Sequence, residues 1–374
     1  MAGIYIHVPF CKQACNYCNF YFSTSSYFLK DYLDAILQEI SLQVDYVKEE
    51  KIESIYFGGG TPSILSSQSI LKILDAIIQN YDVNAHVEIT LEGNPDDLSR
   101  DKLKDLKSIG VNRLSIGTQS FQEVDLVFMK RAHNLDQAIN SIEKAQQLGF
   151  QNLSLDLIYG VPTQTEKSWL ANLSMVNKLG VNHLSSYALT VEEGTPLYHQ
   201  IRKGKVANVD DNLASEHFKL LQNWSDKENW QHYEISNLCK DGNYSRHNTS
   251  YWQGSTYLGL GPAAHSFNGS SRQWNVSNLK KYIEGISKGI ETYTKEELSR
   301  KDQFNELLMT GMRTQWGISK ATLIEQFPEF YSNFEKHLKQ VNPAWINNSP
   351  ENLILSNEGR FYADGIASSL FIES

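Results

Sequence analysis

The sequence has little cysteine, little proline and a deficit of positive charge. Only four of its 374 residues are cysteine and nine are proline, so a small disulfide-framed fold is excluded. Lys and Arg number 34 against 43 Asp and Glu, a net charge of −9. That balance argues against a sequence-independent nucleic-acid binder. No apolar run approaches the ~20 residues that span a bilayer. No charged, apolar and small-residue succession marks a signal peptide, and no repeat or low-complexity stretch is present. These absences predict a cytoplasmic protein without a transmembrane segment or a nucleic-acid partner. Its length suits two or three domains.

What cysteine there is lies together. Cys11, Cys15 and Cys18 are spaced C-x3-C-x2-C directly after a short β-like run. Soft thiolates on a tight loop suit three irons of a [4Fe–4S] cluster, leaving the fourth iron open to a small molecule. The alternatives are a zinc knuckle completed by His7 and three unligated thiols. Cys239, alone downstream, reads as a buried small hydrophobe.

Beyond the cysteine loop, strand-like and helix-like segments alternate six times with short links as far as Thr190, the pattern of parallel βαβ units. Unusual residues close successive strands or begin their loops: Cys11, Gly59, Glu92, Gln119 and Asp156. In barrels of this kind the chemistry sits at the strands' C-terminal rim. The expected fold class is therefore α/β, a partial (β/α)6 barrel followed by an α+β region. Three domains are expected: 1–190, a connecting region 191–294, and 295–374. The last reads as winged-helix-like, with Leu353–Leu355 and Phe361–Tyr362 forming a hairpin around Asn357-Glu358-Gly359.

Several residues suit a polar small-molecule site. Gly58-Gly59-Gly60-Thr61-Pro62 lets backbone approach a ligand. Glu92 and Asp156 suit ribose or amino groups, and Gln119 and Arg131 suit a carboxylate. Each alone reads as readily as a surface or structural residue, but their joint placement at strand ends points to one site. His247, close to Tyr251 and Trp252, combines an imidazole with flat apolar faces suited to an iron macrocycle. A structural His beside a packed aromatic pair is the alternative.

The segments Ile4–Cys11, Gly58–Pro62, Leu114–Phe121 and Asp156–Pro162, with the cysteine loop, resemble the oxygen-independent coproporphyrinogen III oxidase family of radical SAM proteins. The resemblance covers essentially the whole chain. It implies a [4Fe–4S] cluster on Cys11, Cys15 and Cys18 and binding of S-adenosylmethionine (SAM). It implies contacts to the cluster-bound SAM from Tyr5, Gly59 and Glu92. Contacts to a second SAM are implied from Tyr17, Gly60, Thr61, Gln119, Arg131 and Asp156.

Two departures separate this chain from the true oxidases, which carry a further cysteine at the position of Phe20 and an N-terminal extension before the first strand. Asn19-Phe20 and His247-Asn248-Thr249-Ser250-Tyr251-Trp252 are instead similar to a heme-chaperone branch of the family. That resemblance implies heme as cargo, bound with help from His247, and apo-hemoproteins such as respiratory enzymes as recipients. It leaves room for a homodimer and for peripheral membrane contact. The enzymatic rival is oxidative decarboxylation of coproporphyrinogen III to protoporphyrinogen IX, and Phe20 counts against it.

Overall fold

A computed structural model describes residues 1–47 and 50–372. Six strands and the helices between them build its first half. They are β1 (Ala2–Val8), α1 (Leu29–Leu42), β2 (Ile52–Gly59), α2 (Ser67–Asn80), β3 (Val83–Gly93), α3 (Arg100–Ser108) and β4 (Arg113–Gln119). Then come α4 (Glu123–Phe128), α5 (Leu135–Gln147), β5 (Asn152–Tyr159), α6 (Glu166–Lys178) and β6 (His183–Ala188). The helices start where side chains can satisfy free backbone donors: Ser66, Ser99, Asn134 and Thr165 cap α2, α3, α5 and α6. Neighbouring strands pair in parallel in the order β1-β2-β3-β4-β5-β6. This single winding is that of a barrel; a doubly wound sheet would reverse its strand order.

The barrel stays open. After α7 (Pro196–Arg202) and α8 (Asp211–Lys227), β7 (Gln231–His232) and β8 (Asn237–Cys239) extend the β6 edge antiparallel. Following α9 (Arg246–Trp252), β9 (Thr256–Leu260) joins the other edge, parallel to β1. Next come β10 (His265–Phe267), β11 (Ser271–Asn275), α10 (Leu279–Ser287) and β12 (Tyr293–Glu297). Their three strands continue the sheet outward from β9, antiparallel, for twelve strands in all. Residues 246–252 link β8 to β9. These form a helix because the Ser245 side chain accepts from the Asn248 N–H and caps it.

One face of each barrel strand is apolar and the other polar. Ile4, Ile6, Ile55, Phe57, Leu91, Leu114, Leu155 and Leu184 join the main core and are fully buried. Alternating with them are Tyr5, Tyr56, Thr90, Glu92, Arg113, Ser115, Asp156 and Ser185. Cross-strand register sets Tyr5 beside Tyr56, Tyr56 beside Thr90, Thr90 beside Arg113, and Asp156 beside Ser185. A parallel strand buried on both faces by side chains reads as continuously apolar. This alternation therefore marks an interior built for polar contents.

The C-terminal part has its own core. In it, α11 (Arg300–Met312), β13 (Ile318–Ser319), α12 (Lys320–Gln326), α13 (Pro328–Leu338), β14 (Ile346–Asn348) and β15 (Asn352–Leu355) precede α14 (Asn357–Arg360) and α15 (Ala363–Ser369). The three strands pair in the order β13-β15-β14 over Phe304, Leu308, Leu323, Phe334 and Leu353. The hairpin is β14–β15, not one around Asn357-Glu358-Gly359. Those residues start a helix because the Ser356 hydroxyl accepts from the Gly359 N–H.

Candidate functional site

The cysteine loop is anchored on three sides. Its base is closed by hydrogen bonds from the Ser23 N–H to the Pro9 carbonyl, 2.7 Å, and from the Cys11 N–H to the Ser23 carbonyl, 3.0 Å. The turn after β2 grips it from beneath, Gly60 N–H donating to the Val8 carbonyl and Thr61 N–H to the Phe10 carbonyl. From the side, Gln13 and Asn16 donate to the carbonyls of Lys130 and Phe128, each at 2.7 Å.

The glycine turn is needed for that grip. Gly59 has a φ of 105°, a left-handed backbone that disfavours side chains. A Cβ on Gly60 would lie 2.7 Å from the Phe10 carbonyl oxygen and 2.8 Å from that of Val8. The space it would fill is the loop's own backbone, a nearer obstacle than any ligand. Gly60→Ala should accordingly cost about 1–3 kcal/mol by overpacking and displace the loop. Denaturant unfolding together with iron incorporation would check this; a variant as stable as the parent that loads iron normally would contradict it.

Thiols and nitrogen donors meet above the turn. The Thr61 hydroxyl donates to Cys11 Sγ at 3.4 Å, and Arg131 Nη1 donates to Cys15 Sγ at 3.2 Å. Burial pushes the Cys11 thiol up and that of Cys18 to about 11, with the neighbouring thiols adding to the rise. Among the described residues no three His, Cys, Asp or Glu side chains close around a single ion. In a cubic cluster each thiolate meets its own iron. His7 is not offered to the sulfurs: its Nε2 bonds the Tyr21 carbonyl at 2.9 Å and its Nδ1 the Tyr5 hydroxyl at 3.2 Å. Both nitrogens being engaged argues against the zinc knuckle.

Arg131 ties the loop to the rim. Besides Cys15 it reaches the Tyr17 hydroxyl at 3.4 Å, Asn94 Oδ1 at 2.6 Å and the Gly117 carbonyl at 2.8 Å. Gln119 stands beside it at the end of β4, with a φ of 64°. Its amide nitrogen would lie 3.1 Å from a Cβ on Gly117, and Arg131 Nη2 3.2 Å from the same point. Asn94 had no sequence signal beyond its place after Glu92. It accepts from Arg131 and donates to Thr61 Oγ1, so it joins the rim to the glycine turn.

Two carboxyls lie below the rim. Glu92 accepts from the Tyr56 hydroxyl at 2.8 Å, and Asp156 from the Ser115 hydroxyl at 3.0 Å. Removal from water, with Asp156 nearby, pushes Glu92 up to about 7. Removal from water likewise takes Asp156 to about 6. Arg113 opposes both rises. Sequence reasoning missed this arginine, which looked like the start of a strand. It is 1% exposed, and its Nε and Nη1 have no hydrogen-bond partner among the described residues. Arg131 Nε is also unpartnered. Two raised carboxyls and orphaned guanidinium nitrogens are what an interior shaped for a zwitterionic or polyhydroxylated ligand would contain. The donor set fits a cluster and SAM.

His247 does not reach this rim. It lies at the opposite, N-terminal end of the strands, stacked on Tyr56 with 5.0 Å between ring centroids. Its Nδ1 bonds the Ser54 hydroxyl and its Nε2 the Tyr251 hydroxyl, each at 2.7 Å. Burial and Arg113 lower its pKa to about 3, so the ring is neutral, but neither nitrogen is free for iron. Cys239 is fully buried on β8, beyond the β6 edge.

Beside the cysteine loop a cleft of about 1390 Å³ runs between the β9–β11 extension and the C-terminal core. Aromatic residues line it from every side: Phe20 and Phe22 from the loop, Trp252 from α9, Phe267 from β10, and Trp316 and Phe327 from the C-terminal part. Phe20, among these lining residues, is 67% exposed.

Comparisons with known proteins agree with this layout. The family model of the Radical SAM superfamily matches residues 5–176. The heme chaperone HemW of Bacillus subtilis is 33% identical over 98% of this chain and 98% of its own length. The mitochondrial radical S-adenosyl methionine domain-containing protein 1 of Bos taurus is 33% identical, over 85% of this chain and 74% of its own. Among solved structures, the coproporphyrinogen III oxidase HemN of Escherichia coli superposes with a TM-score of 0.85. It covers 99% of this chain and 90% of its own at 21% identity, a likeness of fold.

Proposed function

The chain belongs to the radical SAM superfamily and, within it, to the family of the heme chaperone HemW, and on that premise we propose that it binds heme and passes it to apo-hemoproteins. One observation carries the reading. The 33% identity to a heme chaperone runs over 98% of both chains, so it takes in the cleft-forming residues downstream as well as the barrel.

Cys11, Cys15 and Cys18 would hold a [4Fe–4S] cluster, with Thr61 and Arg131 donating to the sulfurs of Cys11 and Cys15. When bound, such a cluster offers an open iron to the amino and carboxylate groups of SAM and a source of electrons for its sulfonium. Tyr5, Gly59 and Glu92 would contact that SAM. Tyr17, Gly60, Thr61, Gln119 and Arg131 at the rim, with Asp156 below it, would in this reading hold a second SAM. For Tyr17 and Arg131 this means exchanging present partners, since each already bonds the other.

Residues 1–190 would form the cofactor-binding unit, and 191–294 with 295–374 would enclose the cargo. His247 enters as a floor residue of the barrel, where it orders Ser54 and Tyr251. Among the described residues no helix is long and apolar enough to cross a membrane. The reading places the protein in the cytoplasm, its recipients being apo-hemoproteins such as respiratory enzymes.

The test is anaerobic: cluster-reconstituted protein is offered hemin and coproporphyrinogen III separately. Saturable hemin binding, transfer to an apo-hemoprotein and no carbon dioxide release are expected. Sustained, SAM-dependent decarboxylation over many turnovers without hemin binding would replace the chaperone with the oxidase.

A further inference from the structure

We propose that the cleft beside the cysteine loop seats the heme macrocycle and that His265 supplies its axial ligand. The inference rests on the heme-chaperone reading and adds the place and the iron-binding atom.

Heme iron is ligated in proteins by His, Cys, Met and Tyr side chains. Among the described residues no Cys or Met lines the cleft. Of the tyrosines among the described lining residues, Tyr251 is bonded to His247, Tyr257 to Arg272, Tyr5 to His7, and the Tyr21 hydroxyl to the Leu279 N–H. His7 has both nitrogens engaged. His265 remains. It is exposed to the cleft from β10, and among the described residues no hydrogen bond occupies its ring.

Its setting suits an iron ligand. The imidazole stacks on Trp274, its antiparallel partner on β11, with centroids 6.1 Å apart and planes 25° from parallel, which fixes the ring without using its nitrogens. Partial burial and the Arg272 charge lower its pKa, so it stays neutral as ligation requires. Flat faces for a macrocycle flank it, among them Phe267 and Tyr257. Arg272 lies over Phe267 with its Nη1 on the Tyr257 hydroxyl and its Nε on the Glu306 carboxylate; a propionate would meet it by displacing Glu306. The same cleft is walled by Asn19–Phe22, directly after Cys18. A change in the cluster loop would therefore be felt by the cargo.

The discriminating experiment compares hemin with iron-free protoporphyrin IX on the full-length, cluster-reconstituted protein and on His265→Ala. Hemin affinity should fall roughly tenfold or more, with a shifted Soret band that added imidazole restores. Protoporphyrin IX affinity should stay unchanged, which also reports an intact cleft. His247→Ala should retain the parent's Soret band. Unchanged hemin affinity and Soret band in His265→Ala would overturn the assignment while leaving the chaperone reading standing. Equal loss of both porphyrins would overturn iron ligation, making His265 a packing residue. A parent protein that binds neither would remove the chaperone reading and this inference with it.

Discussion

Changing Cys11, Cys15 or Cys18 singly to Ala should abolish the broad visible absorbance of thiolate-bound iron after reconstitution. Each sulfur has its own iron to serve in a cubic cluster, and the described fold holds no spare thiol at the rim. The fourth cysteine is buried on β8 at the far edge of the sheet. Cys239→Ala should therefore leave the absorbance in place. The opposite pattern, loss with Cys239→Ala and retention with Cys15→Ala, would refute the site. A pH dependence follows as well. Burial holds Cys11 above the ordinary thiol range and Cys18 at about 11, so both carry protons near neutrality. Iron must displace those protons, so reconstitution should strengthen as pH rises, as measured by iron retained against a chelator at pH 6.5 and pH 8.5.

Glu92→Gln should change both ligand binding and the pH profile of stability. In the ligand-free protein Glu92 titrates near 7, against 4.5 for a free side chain, because it is withdrawn from water beside Asp156. A carboxyl whose folded pKa is raised favours folding below its unfolded pKa, and that advantage is lost as pH climbs through the folded value. Glu92 should thus make the protein less stable between about pH 4.5 and 7. Discounted for partial contact with solvent, the loss is on the order of 2 kcal/mol. Arg113 and the Tyr56 hydroxyl hold the rise in check. Urea unfolding of parent and Glu92→Gln, without SAM, should give curves that converge at low pH and separate above pH 6, the variant being the more stable there. Calorimetry should show the reverse for function, SAM binding weakened by loss of the carboxylate. Parallel stability curves would mean that Glu92 is not buried as described, and unchanged SAM affinity would remove it from the ligand shell.

Much of this was legible along the chain because its causes are local. The cysteine spacing is a property of one loop. Helix starts at Ser66, Ser99 and Thr165 announce themselves because a side-chain oxygen three residues away satisfies a backbone N–H. The six strands show their period, and Glu92 and Gln119 fall at or next to strand ends, whereas Asp156 lies three residues before the end of β5. Sequential parallel order follows from short right-handed connections.

Local sequence thus sets the barrel strands, their polar faces and the three-thiol loop. Which distant segments complete them is settled by the fold. Strand β9 lies beside β1 in space though not in sequence, and nothing local distinguishes it from a loop-bound strand. Arg113 begins β4, yet its register beside Thr90 turns it into the interior, where its charge meets Glu92 and Asp156. The histidines make the same point. A His near Tyr and Trp reads alike whether its nitrogens are free or spent, and the deciding partners, Ser54 for His247 and Trp274 for His265, are brought up by the fold. Hydrogen-bond occupancy is a property of three-dimensional neighbours, so residue type could nominate ligands here but not choose among them.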